Sequence, residues 1–135
     1  MELNTSQFGK IEIDEDNILE FYEGIIGFEE YKKFIIVSDK DLEPFFWLVS
    51  IEEPYLEFPI VNPFLFFPDY DPELELEPED ETIFSIVSLK KEIDKITVNL
   101  KGPLVINIKK KKGKQSVINS DKYSPNHPLF INRAD

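Results

Sequence analysis

No run of eleven or more residues in this chain carries an apolar stripe at helical spacing, and that absence constrains the fold more than any other feature. Apolar residues recur at period two or in short β-branched and aromatic runs, the mark of strands. Lys10-Ile11-Glu12-Ile13 alternates and stops at the turn formers Asp14-Glu15-Asp16-Asn17. Ile18–Phe21 resumes before Gly24 and Gly27 break the chain. Phe34–Val37, Phe45–Ile51, Phe58–Val61 and Ile83–Leu89 are each bounded by Pro, Asp, Asn or Lys. Ile96–Leu100 and Leu104–Ile108 alternate, and Val117-Ile118 follows a lysine-rich turn containing Gly113. The best helical candidate is one or two turns within Asp71–Glu81, opened by Pro72 and cut short by Pro78. Short strands at roughly ten-residue spacing predict an all-β fold, a small antiparallel barrel-like domain with at most one short helix.

The 135 residues suit one domain, 1–135, with 121–135 as an irregular C-terminal extension. Within that extension Tyr123, Leu129, Phe130 and Ile131 are candidates to pack back on the body. Such a chain buries roughly two-thirds of its unfolded surface and needs no disulfide or metal to fold. It has no cysteine, which fits a reducing compartment. No basic stretch leads into an apolar run near Met1, and no segment approaches the roughly 20 apolar residues that span a bilayer. The expected location is the cytoplasm.

Charge divides the chain. Residues 1–82 carry four Lys and 23 Asp or Glu, a net of −19; residues 83–135 carry eleven Lys or Arg and four acids, a net of +7. So negative a field disfavours nucleic acid and anionic membrane and favours a basic protein partner, steered by complementary charge. Simple solubility is the plainer account of the same charge.

Little in the sequence carries catalysis. His127, the sole histidine, has no Gly-x-Ser-x-Gly elbow to serve and too few companions for zinc, and reads as a loop residue. The acids lie in runs such as Glu73-x-Glu75-x-Glu77, more like a solvated face than a pair with one carboxyl in an apolar pocket. Asp69-x-Asp71-x-Glu73 has the opening spacing of an EF-hand loop, but Leu74 stands where that loop needs glycine. Gly24 and Gly27 are too isolated for a nucleotide fingerprint. Neither an enzyme, a cofactor nor a metal is expected. Lys109–Lys112 with Gly113 and Lys114 reads as a charged hairpin tip, able to face phosphate or an acidic protein.

Phe64-Leu65-Phe66-Phe67-Pro68-Asp69-Tyr70 sets four aromatics within seven residues and runs into the acidic stretch. On a strand, Phe64 and Phe66 would face one way and Leu65 and Phe67 the other. Exposed rings rimmed by acid have the composition of an interface anchor, while burial on both faces would make the run an interior strand.

The order and spacing of several segments resemble the flagellar assembly factor FliW family from Phe8 to Leu129. They are Phe8–Ile13, Phe21–Tyr31, Pro44–Ser50, Asn62–Tyr70, Thr97–Asn107 and Gly113-Lys114-Gln115. Many relatives have prolines where this chain has Tyr22 and Ile26, and the stretch between Tyr70 and Ile83 is compressed and more acidic. The resemblance implies a compact β-barrel and a regulator that binds CsrA, a dimeric RNA-binding repressor of flagellin translation, relieving repression allosterically. It also implies binding of flagellin, so that flagellin synthesis answers to its own export. The alternative is a chaperone-like flagellin-binding module without a direct regulatory role. The free protein is expected to be a monomer that touches neither nucleic acid nor membrane. Phe64, Phe66, Asp69 and Tyr70 are the candidate partner contacts, Glu73 and Glu75 the steering charges, and Lys110, Lys111 and Lys112 a second candidate surface. Gly24, Gly27, Gly102 and Gly113 are expected to meet turn requirements, and Trp47 to lie in the core.

Overall fold

The computed structural model describes residues 1–130. Eleven strands follow one another along the chain: β1 (Glu2–Thr5), β2 (Gly9–Glu12), β3 (Leu19–Glu20), β4 (Lys33–Ser38), β5 (Phe46–Ser50), β6 (Glu57–Val61), β7 (Glu81–Ser88), β8 (Thr97–Val98), β9 (Leu104–Asn107), β10 (Lys112–Gln115) and β11 (His127–Pro128). Seven of them, β3, β4, β5, β6, β7, β9 and β10, hydrogen-bond in a ring and close a barrel, which removes the exposed sheet edges of an open sheet. Every junction is antiparallel except the last, where β10 meets β3 in parallel through the single pair Lys112 and Glu20. β8 and β11 extend the far end of β7, while β1 and β2 form a separate hairpin.

Alternation along the strands sorts side chains between the barrel interior and its outer face. Inside lie Leu19, Phe21, Phe34, Leu48, Phe58, Ile60, Leu104 and Ile106. Phe21 and Phe34 are fully buried and meet edge to face at 5.2 Å. Each contributes roughly 1.5–3 kcal/mol through burial alone. On the outer face Ile35, Trp47 and Val49 are covered by Leu3 and Ile13 of the N-terminal hairpin region, and Phe8 stands edge-on to Trp47 at 5.5 Å. Trp47 is therefore core, but core of an outer layer. A third cluster, including Val61, Val87, Val98, Leu100 and Leu129, joins β6–β8 to the C-terminal segment.

Several local expectations give way. The run Phe64–Phe67 is not a strand. Asn62 accepts the Phe64 N–H at 2.9 Å, and Pro63 opens a 3₁₀ turn, Pro63–Leu65. Residues 71–77 form neither helix nor strand, and the one turn after them closes where the Glu81 N–H reaches the Glu77 carbonyl at 2.8 Å. The strand after the basic turn is Lys112–Gln115, and Val117-Ile118 lies beyond it. The C-terminal extension supplies β11 and buries Leu129, with Tyr123 and Phe130 packed on the same cluster. Ile131 lies outside the described residues.

Candidate functional site

Two neighbouring features hold the expected contact residues: an aromatic turn over residues 62–70, and an acidic strap over 71–80 that crosses the face of the β9–β10 hairpin.

In the aromatic turn, each ring has a different surrounding. Tyr70 is buried and donates its hydroxyl to the Leu100 carbonyl at 2.6 Å. Burial drives its pKa well above the ordinary tyrosine value, with the Tyr123 hydroxyl and the Asp71 carboxylate adding to the shift. Tyr70 is thus a fastening of the turn, not the surface contact expected from the sequence. Phe66 is half-buried and stands edge-on to Phe130 at 5.9 Å, while Phe67 meets His127 at 4.8 Å. Phe64, 37% exposed, tilts against the Tyr70 ring at 5.7 Å. Asp69 is exposed. Leu65, at 65%, is the most open apolar side chain of the turn, and strand alternation hid it because the backbone here winds as a 3₁₀ turn. The exposed pair is therefore Phe64 and Leu65, adjacent in sequence.

The strap is anchored at both ends. The Asp71 N–H donates to the Tyr123 hydroxyl at 2.8 Å, and the Glu77 N–H donates to Glu81 Oε1 at 2.9 Å. Between them Leu74 and Leu76 are half-buried while Glu73, Glu75 and Glu77 are exposed. Glu73 has a φ of 57°, with its N–H held by Asp71 Oδ1 at 2.9 Å.

Opposite the strap, β9 and β10 join through the turn 108–111, in which Lys111 takes a φ of 56° and Asn107 Oδ1 accepts the Lys110 N–H at 2.9 Å. The two sides enclose an open groove of about 420 Å³, lined on one wall by Glu75 and Glu77 and on the other by Lys110, Lys112 and Lys114. Tyr22, one of the positions where proline was noted in relatives, lies at the same groove, 61% exposed, with Lys112 Nζ 5.2 Å from its ring centroid. The structure therefore brings Glu75, Lys110 and Lys112 together, leaves Phe64 and Asp69 on the aromatic turn, and buries Tyr70.

A further apolar surface was missed in the sequence. Ile26, 62% exposed, Phe28 and Val117 surround a shallow concavity of about 350 Å³ floored by Phe58 and Ile86. The legible signal was the Ile-Ile pair between Gly24 and Gly27, both at positive φ, because a loop with two such glycines has few ways to bury intervening apolar residues. His127 pairs with Val98 in β11, and its Nδ1 lies 2.8 Å from the Pro128 carbonyl, a hydrogen bond that requires the proton on Nδ1. Among the described residues no group of three or more His, Asp or Glu is placed to hold a metal ion, and no helix is long and apolar enough to cross a membrane.

Comparison with known proteins finds the same family over nearly the whole chain. The family model described as FliW protein matches residues 2–129. A flagellar assembly factor FliW of Alkaliphilus metalliredigens is 43% identical, covering 96% of this chain and 86% of the relative. One from Clostridium botulinum is 43% identical over 99% of this chain and all of the relative. One from Treponema denticola is 38% identical over 96% and 94%. A crystal structure of the flagellar assembly factor FliW superposes with a TM-score of 0.88 at 32% identity, covering 99% of this chain and 100% of that one.

Proposed function

The chain belongs to the FliW family, and from that premise we propose that this flagellar assembly factor acts by binding CsrA and flagellin in turn. Binding to CsrA relieves repression of flagellin translation without catalysis, and flagellin competes for the protein, which couples synthesis to assembly in the cytoplasm. The observation that carries the reading is the continuity of the family match, 2–129, over the whole barrel and both candidate surfaces. The charge agrees in sign. A protein that binds RNA presents positive charge, and the net −19 of residues 1–82 steers such a partner in.

Phe64, Leu65 and Asp69 form the proposed protein contact, with Glu73 and Glu75 as steering charges and Phe66 and Tyr70 as the packing beneath. The free protein is proposed to be a monomer. One observation favours the second reading, a chaperone-like hold on flagellin alone: the apolar concavity around Ile26, Phe28 and Val117 suits an apolar segment of an unassembled subunit.

Calorimetric titration with CsrA from the same organism, at low and high salt, tests the proposal. Tight binding that weakens with salt is expected. Absence of binding at both salts overturns the regulatory reading and leaves flagellin as the partner, to be titrated next.

A further inference from the structure

The acidic strap and the basic hairpin face one another within a single chain without pairing. Glu75 and Glu77 line one wall of their groove and Lys110, Lys112 and Lys114 the other. Yet the three ion pairs among the described residues all lie elsewhere, at Met1–Glu12, Lys10–Glu2 and Lys95–Glu92. The opposed charges therefore act across the groove without contact, and physiological salt screens such attraction beyond roughly 8 Å. Nor does the strap join the sheet. β10 pairs with β9 and β3, and no backbone hydrogen bond among the described residues ties Leu74, Glu75 or Leu76 to either side. It is held by its two end anchors and by the half-buried Leu74 and Leu76. A segment held in this way can shift without breaking a sheet hydrogen bond.

Beside it Tyr22, Lys110, Lys112 and Lys114 are all exposed and have the composition of a single-strand nucleic-acid platform. Lys112 and Lys114 on one face of β10, with Lys110 in the turn before it, supply phosphate contacts. Beside them the Tyr22 ring is open to solvent, with Lys112 Nζ already near its face, and an exposed aromatic next to lysines is where an unpaired base stacks. The stacking ring favours nucleic acid over an acidic protein as the occupant. We propose that Tyr22, Lys110, Lys112 and Lys114 form a site for single-stranded nucleic acid, and that the neighbouring carboxylates of the strap weaken its hold on phosphate in the resting protein.

The test is fluorescence anisotropy with labelled poly(U) RNA, comparing the full chain with E73Q/E75Q/E77Q. The variant is expected to bind about tenfold or more tightly than the unaltered chain, with a log–log salt slope near −2, as about three single-strand phosphate contacts give. Adding K110Q/K112Q/K114Q is expected to abolish the gain, and Y22A to reduce it. A control that removes the same three charges elsewhere, E15Q/E43Q/D94N, is expected to gain nothing comparable. The proposal is overturned if E73Q/E75Q/E77Q binds no better than the unaltered chain, if the control gains as much, or if the gain survives loss of the three lysines. Equal binding of labelled poly-glutamate by E73Q/E75Q/E77Q would overturn the choice of nucleic acid.

Discussion

Gly113 lies against the face of the Phe21 ring, so that a Cβ at 113 would overlap its Cζ, Cε1 and Cε2 atoms. The two meet at the seam of the barrel, where β10 joins β3 through one residue pair and the Phe21 ring fills the interior beside it. Gly113 is thus required by packing, in a strand, and not by the turn to which the sequence assigns it. Gly113→Ala is expected to destabilise by roughly 1–3 kcal/mol, the usual cost of overfilling a packed core. A lower urea midpoint at unchanged slope would show it. Phe21→Leu in the same chain is expected to return part of the loss, because the two changes share one contact. Additive losses in the double variant would refute the contact as the cause.

The same position shows what the sequence does and does not reveal. β4, β5, β6, β7 and β9 are legible because their apolar residues alternate or run between turn formers, and burial on one or both faces demands that pattern. β10 is Lys-Gly-Lys-Gln and carries no such pattern. It is a strand because β9 offers it a ladder and Phe21 needs a residue without a side chain above it. β1 and β11 are hidden for a similar reason, since each owes its strand form to one partner and not to its own periodicity. In the candidate site, the charges of the strap and the hairpin are plain in the sequence. Their meeting across one groove is not, because about thirty residues of barrel separate them along the chain. Tyr70 reads as an exposed ring rimmed by acid because its acceptor, Leu100, is distant in sequence.

The two loop glycines separate strain from collision. Gly24 has a φ of +69°, and a Cβ there would stand 2.6 Å from the Glu29 Cα. Gly27 has a φ of +88° with nothing within 4 Å of the added atom. Gly27→Ala is therefore expected to cost about 1 kcal/mol, the left-handed backbone term alone. Gly24→Ala adds a backbone collision that no side-chain rotation relieves, and is expected to cost at least about 2 kcal/mol more. Thermal unfolding of the two variants side by side checks the ordering, and equal losses would show that the loop shifts freely.

Tyr70 makes stability depend on alkaline pH. Burial holds its folded-state pKa above the unfolded value of about 10, so the protonated phenol is the form the fold prefers. The stabilisation is fully present below about pH 10 and is lost as pH rises from there toward the folded pKa, by up to about 1.4 kcal/mol per pH unit. Tyr70→Phe leaves the Leu100 carbonyl without its partner and is expected to cost about 1–3 kcal/mol at neutral pH. It is also expected to flatten the decline above pH 10. Urea unfolding at a series of pH values reads both effects, and an unchanged alkaline slope in the variant would assign the decline to other groups.

Leu65 and Phe66 are neighbours with opposite expected phenotypes, and the contrast tests where the proposed protein contact lies. Leu65 is 65% exposed, so Leu65→Ser removes little buried surface and is expected to change stability by less than about 0.5 kcal/mol. Phe66 is half-buried against Phe130, so Phe66→Ser is expected to destabilise by about 1–3 kcal/mol. If the turn is the CsrA contact, Leu65→Ser and Phe64→Ser become hot-spot truncations that weaken binding by about 2 kcal/mol, roughly thirtyfold. Calorimetric titration separates that loss from instability, because Leu65→Ser remains folded. Full affinity in both variants would remove the aromatic turn from the CsrA interface. Repeating the titration with flagellin would then show whether the turn serves that partner, since the concavity around Ile26 and Val117 is an apolar surface that neither substitution touches.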